Sequence, residues 1–499
     1  HNHVADRFAR AYCRQIGSWC RENGIALTGH VLGEEELKSQ TQFLGEAMRC
    51  YRHFGIPGID ILCDRHEYTT AKQAQSIVHQ MGAEGMLSEL YGVTGWDCDF
   101  RTYKLQGDWQ AALGVTVRVP HLFWMTMKGE AKRDYPASIG YQSPWYSQFS
   151  MIEDHFARLN TALTRGTPAV KVAVVHPIES YWLHWGPSEQ TAAAREHLEE
   201  QFHELAELLL FHGIDFDYIS ENELPYFCPE GGNPLKVGKM QYEAVILCGC
   251  QTLRSTTVKR LRQFGEAGGT LLFIGECPDL VDARPSDQAR SLYEKSQKLS
   301  FSETAILDAL KPWRFLDIRR EDGSREDRIL HQLRKDGSSM WLFAATGKNP
   351  VCQDVDDGGT VRFILKGSWK LTLYDTLTGE IRPVKAVCQN GTTILERKWH
   401  HHDSMLLRLD AGPAEENPAE RGEAEGPEDL IFGTVAVRLE EPNMLLLDMA
   451  EYALNGGDFL PEEEILRIDN LARQKLGIPL RRKEVTQPYR IVPEEPRDT

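Results

Sequence analysis

A glutamate at the end of a short apolar run is the residue of this sequence best placed for chemistry. Residues 85–88 (Gly-Met-Leu-Ser) lead into Glu89, and Tyr91, two glycines and Trp96 follow it. If a buried strand stops at Ser88, Glu89 lies at its C-terminal mouth, where parallel barrels carry their catalytic groups. A carboxylate there can act as a nucleophile or as a general acid or base. The alternative is a loop glutamate that caps the next segment, because motifs this short also arise by accident.

Other polar side chains follow the neighbouring predicted strands. His30 comes from the first, Asp60 or Asp64 comes at the end of the second, and His121 follows the fourth. Parallel strands end at one mouth, so we expect these groups to converge on Glu89 and to bind substrate. For His121 a place in the core is an equal alternative.

A second carboxylate is harder to place. Glu35 is a candidate general acid, but residues 34–36 are all glutamates and are also typical of the acidic first turn of a helix. We therefore favour a second carboxylate on a strand that precedes residue 1. Two carboxylates about 5–5.5 Å or about 6.5–9.5 Å apart hydrolyse glycosidic bonds with retention or inversion, respectively.

Aromatic residues are dense around these polar groups. Tyr91, Trp96 and Trp145 are the candidates for substrate binding, and the two tryptophans lie in loops with Gly or Pro. Sugar rings present apolar C–H faces that suit flat side chains in a binding mouth. The alternative is that about half of the aromatic residues form core. Together with Glu89, the pattern favours a sugar-cleaving barrel.

The elements that must position these residues alternate between helix and strand. Apolar spacing predicts helices over 4–22, 34–54, 70–81 and 108–113, with strands over 25–32, 59–62, 86–88 and 115–119. This order is typical of parallel βα units. Four units make either a small open sheet or half of an eight-stranded barrel. We favour the second, with the C-terminal half of a catalytic (β/α)8 barrel over residues 1–165.

The rest of the chain predicts further modules of an α/β multidomain protein. Residues 168–300 resemble a flavodoxin- or amidotransferase-like α/β domain, in which residues 281–300 are loop-like. Cys250 lacks the glycine spacing of a nucleophile elbow. We therefore expect this domain to be structural or to form a homo-oligomer contact. Short runs between Asp-Gly, Thr-Gly and Asn-Gly turns predict a β-sandwich over 301–410. An acidic linker (411–429) and the start of a truncated sugar-binding-like module (430–499) follow.

Composition narrows the classes of function. The 499 residues carry a formal charge of −17, which disfavours nucleic acid as a partner. We expect no membrane partner, because no apolar run reaches the ~20 residues of a membrane span. Eleven cysteines without a CxxC pair predict reduced thiols, a cytoplasmic setting and no zinc site. His400, His401 and His402 alternate faces on a strand, so we expect no metal there.

Several motifs carry a family resemblance. Gly29-His30, residues 57–60, residues 88–92, Gly95-Trp96 and residues 114–121 resemble the later part of the catalytic barrel in bacterial glycoside hydrolases of the α-L-rhamnosidase type. The order of the modules is also similar to that of family 42 β-galactosidases, and residues 441–448 resemble the entry to a sugar-binding β-sandwich.

The resemblance implies hydrolysis of an oligosaccharide or glycoside. Glu89 matches the strand-end glutamate, which is the nucleophile in the β-galactosidases and would be the base in inverting rhamnosidases. No organic cofactor is implied; calcium is used by some such enzymes, but no ligand can be assigned. The departure is the missing first half of the barrel, which carries the acid in those families. The alternatives are a non-catalytic carbohydrate-binding or scaffold fragment, and an amidotransferase-like protein that needs a reactive thiol.

Overall fold

The structure is a computed structural model that describes most of the chain. It covers residues 1–63, 65–95, 98–122, 139–352, 358–414, 436, 438 and 449–480. These residues fall into two bodies. The first comprises residues 1–90, 100–119 and 150–418, and the second comprises 91–99, 120–149 and 419–499.

A four-stranded sheet begins the chain. Its strands are β1 (Thr28–Gly29), β2 (Ile56–Leu62), β3 (Leu87–Gly92) and β4 (Val117–Pro120), and they are ordered in the sheet as in the chain. The helices around it are α1 (Asn2–Phe8), a π-helical turn (Ala9–Arg14), α2 (Gln15–Glu22), α3 (Leu37–Phe43), α4 (Ala47–Tyr51), α5 (Tyr68–Met81), α6 (Phe100–Ala112) and α7 (Ser150–Leu163). This is the arrangement of half a barrel, and it confirms the alternation of helix and strand that the apolar spacing predicts.

A parallel α/β layer follows. A short strand, β5 (Thr167–Pro168), comes before it and belongs to an antiparallel sheet described below. The strands that follow are β6 (Val172–Val175), β7 (Phe216–Ile219), β8 (Leu235–Val237), β9 (Met240–Tyr242), β10 (Ala244–Cys248), β11 (Thr252–Leu253), β12 (Thr270–Ile274), β13 (Leu280–Val281), β14 (Arg284–Pro285) and β15 (Gln297–Leu299). Its helices are α8 (Ile178–Leu183), α9 (Ser188–Phe211), α10 (Leu224–Phe227), α11 (Ser255–Glu266) and α12 (Asp287–Glu294). The main sheet has the order β15-β12-β10-β6-β7, and every pair in it is parallel.

Sequence spacing predicts this layer well where side chains are apolar. In α9 the apolar side chains at helical spacing are buried, with Leu198, Phe202, Leu205 and Leu209 all in the core. The loop expected over residues 281–300 is wrong, because α12 and β15 lie there. β15 is an edge strand of Gln-Lys-Leu, so it lacks the apolar run that marks a buried strand.

Antiparallel sheets complete the first body. After α13 (Glu303–Leu310) and a 3-10 turn (Lys311–Trp313) come β16 (Leu316–Arg320), β17 (Ile329–Asp336), β18 (Ser339–Thr346), β19 (Gly359–Lys366), β20 (Trp369–Tyr374), β21 (Ile381–Pro383), β22 (Val387–Gln389), β23 (Thr392–Trp399) and β24 (Ser404–Ala411). One sheet has the order β16-β19-β23-β22 and the other β21-β20-β24-β18-β17-β5. Alternating residues of both sheets form one buried core that includes Phe363, Leu342 and Leu407.

The second body contains few regular elements. They are a 3-10 turn (Tyr146–Gln148), β25 (Met449–Tyr452), β26 (Leu460–Glu464) and α14 (Ile465–Leu476). Most of the linker expected over 411–429, and much of the module expected over 430–499, lie outside the described residues. Within the described part of the chain, none of the helices has both the length and the apolar character needed to cross a membrane.

Candidate active site

Three side chains, from the residue after β1, from β2 and from β3, meet at one point of the half-barrel sheet. Nε2 of His30 lies 3.3 Å from Oε2 of Glu89 and 3.8 Å from Oδ2 of Asp60. The side chains of His30, Asp60 and Glu89 are 32%, 21% and 27% exposed, respectively. They are therefore packed against the sheet but still reachable from solvent. We call these three residues the carboxylate–histidine cluster.

The close approach of three strands brings the cluster together. Thr28 and Gly29 of β1 pair in parallel with Ile56 and Pro57 of β2. A β-carbon at Gly58 would lie 2.5 Å from the carbonyl oxygen of Gly29 and 3.1 Å from a methyl group of Leu87 in β3. Only glycine fits at residue 58, and this allows the strands that carry the three polar groups to pack closely.

Glu89 occupies a different place on its strand from the one the sequence predicts. The expectation was a strand that stops at Ser88, but β3 continues to Gly92, and Glu89 is its third residue. The strand residues Leu87 and Leu90 are buried, whereas Glu89 is only partly so. Leu90 points to the opposite face of the strand from Glu89, because successive strand residues alternate. Glu89 therefore reaches the cluster from within the strand and not from its end.

The imidazole of His30 is held in one orientation. Its Nδ1 lies 3.0 Å from the carbonyl oxygen of Val31 and donates to it, which leaves Nε2 toward Glu89 and Asp60. Burial alone would lower the pKa of His30, but the Val31 carbonyl and the carboxylates of Asp60, Glu34 and Glu89 outweigh it and raise that pKa. A protonated ring can donate from both nitrogens, which matches these acceptors.

A buried carboxyl group supports the loop that carries His30. Oε1 of Glu34 accepts hydrogen bonds from the Val31 amide at 3.2 Å and from the Tyr51 hydroxyl at 3.1 Å. Burial raises the pKa of Glu34 to about 7, against the lowering effect of these hydrogen bonds and of His30. Near neutral pH this carboxyl group therefore exchanges a proton next to the cluster.

The same loop is fixed through its backbone. The carbonyl oxygen of Glu34 accepts from Nε2 of Gln40 at 3.0 Å and from Nε2 of Gln73 at 2.9 Å. The carboxylate of Glu199 accepts from the amides of Leu37 and Lys38 and so caps α3. Because helices on several sides hold the loop, the position of His30 is set by the tertiary structure.

The glutamates at 34–36 are not the acidic first turn that the sequence favours. Helix α3 begins at Leu37, and Glu36 is its N-cap residue without a side-chain capping bond. Glu34 is the functional candidate that sequence reasoning missed. The sequence indicates it only indirectly: Gly33 precedes Glu34, and the first apolar residue of the helix is Leu37, so Glu34 can lie before the helix.

The remaining predicted residues have different locations. Glu35 is half-buried, and burial is the main cause of its raised pKa, with smaller electrostatic effects of His203, Glu36 and Arg65. It is not part of the carboxylate–histidine cluster. Asp64 and Trp96 lie outside the described residues.

Three predicted residues belong to the second body. Tyr91 is buried and has a φ of 68°, a left-handed backbone that is uncommon for a non-glycine residue. His121 and Trp145 are half-buried. The indole N–H of Trp145 makes no hydrogen bond to a described residue. Their roles in substrate binding stay predictions.

The donor atoms of the cluster decide which metal it could hold. One imidazole nitrogen and two carboxylate oxygens lie within 4.8 Å of one another. Calcium takes six to eight oxygen ligands, so a three-donor set that includes imidazole does not fit it. Such donors suit a transition metal better, but the raised pKa of His30 favours a proton on the nitrogen that would bind one. We derive no step through a metal.

Comparisons with known proteins identify the kind of fold. No protein-family model and no curated protein matches the chain. Among solved structures, it is similar to a rhamnosidase from Novosphingobium sp. PP1Y, with 16% identity and a TM-score of 0.61 over 92% of this chain and 43% of that one. The chain thus spans less than half the length of that rhamnosidase.

Two β-galactosidase structures are also similar. Gan42B, a GH42 β-galactosidase, gives a TM-score of 0.53 at 11% identity over 81% of this chain and 68% of that chain. The β-galactosidase from Bacillus circulans sp. alkalophilus gives 0.52 at 13% identity over 78% and 64%. The chain therefore has a glycoside-hydrolase-like fold, as the sequence motifs predict.

Proposed function

We propose that this chain carries part of the active site of a glycoside hydrolase, with Glu89 as its catalytic carboxylate. The observation that carries the proposal is the 3.3 Å contact between Glu89 in β3 and His30, which directly follows β1 of the same half-barrel sheet. The glycoside-hydrolase-like fold supports the same class of reaction. The substrate class is an oligosaccharide or another glycoside.

The neighbours of Glu89 suit a carboxylate that reacts in its ionised form. A charged His30 beside it stabilises the negative charge and holds the side chain in place. An ionised Glu89 can either attack the anomeric carbon or take a proton from a water that attacks it. In both routes the glycosidic C–O bond breaks, and the leaving oxygen needs a proton from a second group.

The proton donor must be a carboxylic acid that keeps its proton near neutral pH. Glu35 is the candidate that the sequence singles out, and burial raises its pKa. Glu34 holds its proton more firmly, with a pKa of about 7, but is only 6% exposed. Glu34 is therefore better suited to positioning His30 than to touching a substrate, and the general acid is Glu35 or a carboxylate outside this chain.

The amidotransferase-like alternative depends on a reactive thiol in the α/β layer. Burial raises the pKa of Cys248 to about 12 and raises that of Cys250 well above its usual value. Burial also raises the pKa of Cys277. A thiolate nucleophile needs a lowered pKa, so these three cysteines favour a structural role.

The experiment is a hydrolysis assay with aryl glycosides on the full natural polypeptide. α-L-Rhamnosides and β-D-galactosides are the first substrates to test, since the similar structures are of those classes. We expect turnover of at least one of them, and its loss in Glu89→Gln. Turnover by none, or unchanged turnover in the variant, would overturn the proposal; binding without turnover would favour the non-catalytic alternative.

A further inference from the structure

A cavity lies in the part of the first body formed by α7 and the antiparallel sheets. Its volume is about 680 Å³. The lining comes from the C-terminal half of α7, the tip of the β17–β18 hairpin and the turn after β20, and no member of the carboxylate–histidine cluster contributes to it. We call it the hairpin cleft.

Two aromatic rings contribute to the lining of the hairpin cleft. The rings of Trp341 and Tyr374 meet edge to face, with centroids 4.9 Å apart and an interplanar angle of 73°. The indole N–H of Trp341 donates to Oδ2 of Asp336 at 3.1 Å, which fixes the ring. The cleft therefore offers a rigid apolar surface beside polar groups.

The walls of the cleft are held by internal hydrogen bonds. Nη1 of Arg158 donates to the carbonyl oxygens of Thr376 and Leu377, both at 2.8 Å, and so ties α7 to the turn. Within the turn, Oδ1 of Asp375 accepts from the amides of Leu377 and Thr378. A cavity built this way exists before a ligand arrives, so little ordering opposes binding.

The charges of the lining balance. The lining contains three arginines and three carboxylates: Arg158, Arg165, Arg408, Asp336, Asp375 and Glu380. Arg165 pairs with Asp336 at 2.7 Å, and Nη2 of Arg408 donates to the Ser339 hydroxyl at 3.2 Å. Donors and acceptors thus lie side by side without an excess of either charge, whereas a phosphate or sulfate site needs unbalanced cations.

We propose that the hairpin cleft binds neutral sugar units of an oligosaccharide, at a site separate from the carboxylate–histidine cluster. A pyranose ring presents C–H faces to aromatic rings and hydroxyl groups that both donate and accept. The volume lies within the ~300–1,000 Å³ of small-ligand pockets. The cleft would bind some sugar units of an oligosaccharide, and the other units need not reach the carboxylate–histidine cluster.

Titration calorimetry on the full chain tests this site. The Glu89→Gln background prevents turnover, and the probes are the neutral disaccharides lactose, maltose, cellobiose and rutinose. We expect saturable binding of at least one probe, weakened about tenfold or more by Tyr374→Ala and by Arg408→Ala. Arg362→Ala is the matched control, because Arg362 is 42% exposed and pairs with Glu396, much as Arg408 is 43% exposed and pairs with Asp410.

Three results would overturn the proposal. The first is that none of the probes binds, and the second is that the Glu89→Gln protein and both cleft variants bind a probe equally well. The third is that galacturonate, added as an acidic probe, binds more tightly than every neutral sugar. Circular dichroism identifies a variant that fails to fold, and Glu380→Gln, an exposed change, then replaces it. The result of this test does not depend on hydrolysis. With Glu89 intact, the cleft variants are also assayed for aryl-glycoside turnover, and they should retain that turnover.

Discussion

His30 and Glu89 form the contact on which the candidate site depends. The two residues lie on loop and strand segments that are far apart in sequence, yet Nε2 and Oε2 are 3.3 Å apart. Each explains a property of the other. The carboxylate helps to raise the pKa of His30, and a charged His30 holds the carboxylate in place.

The first prediction concerns the charge of His30. NMR titration of the ring protons should give a pKa for His30 above its usual value of 6.5. In Glu89→Gln the pKa of His30 should fall, because one of the carboxylates that oppose the lowering effect of burial is removed. Glu84→Gln is the matched control, since Glu84 is exposed and precedes the same strand. The same pKa in both variants would show that Glu89 does not interact with His30.

The sign of the linked stability follows from the raised pKa. Folded His30 binds its proton more tightly than unfolded His30, so the contact stabilises the fold below about pH 6.5 and this contribution is lost as the pH rises through the folded pKa. His30→Gln should therefore reduce the free energy of unfolding more at pH 6 than at pH 9. Urea unfolding at the two pH values measures this, and an equal loss at both would contradict the charged state.

The second prediction concerns Glu34. Its folded pKa of about 7 exceeds the usual 4.5, so the fold loses stability as the pH rises from about 4.5 to about 7. A gap of about 2.5 units corresponds to ~3 kcal/mol above pH 7. Glu34→Gln keeps an acceptor for Tyr51 and Val31 but has no charge to bury, so it should be more stable than the wild type at pH 8 and similar at pH 4.5.

Thermal and urea unfolding of Glu34→Gln at both pH values measure this difference. Glu22→Gln serves as the control, because Glu22 is exposed and should change stability little at either pH. If Glu34→Gln were destabilised at pH 8 as much as at pH 4.5, the buried carboxyl would be ionised and favourably paired instead.

The third prediction concerns the junction between α5 and the parallel α/β layer. Nζ of Lys72, which is fully buried, lies 2.8 Å from Oδ1 of Asp215 just before β7. Lys72→Met leaves Asp215 with a charge in the core and should cost ~3–5 kcal/mol of unfolding free energy. Denaturant unfolding measures it.

An exposed ion pair supplies the comparison for Lys72. Lys171 and Glu243 are each 45% exposed and 3.0 Å apart, so Lys171→Met should cost under ~1 kcal/mol. Equal effects of the two substitutions would mean that burial of the Lys72 pair contributes nothing to the fold.

Sequence reasoning reached the fold where apolar spacing is strong. The helix predicted over 70–81 corresponds to α5 (Tyr68–Met81), and the strand predicted over 115–119 overlaps β4 (Val117–Pro120). Sequence reasoning missed β15, whose residues are polar, and it ended β3 early at Ser88. At both places strand pairing, which sequence spacing does not report, decides the structure.

The candidate site was predicted in part for a related reason. His30, Asp60 and Glu89 were expected at one mouth because parallel strands end together, and they do meet. Glu34 was assigned to a helix because residues 34–36 are an acidic run, whereas its contact with Tyr51 forms only in the folded chain. No local pattern around residue 34 contains that information.

Turnover of aryl glycosides by the wild type, Glu89→Gln and Glu84→Gln tests the central claim most directly. If Glu89 is the catalytic carboxylate, Glu89→Gln should lower kcat by about 100-fold to 10,000-fold or more, while its thermal unfolding and the activity of Glu84→Gln stay near those of the wild type. Near-normal kcat in a folded Glu89→Gln protein would contradict it.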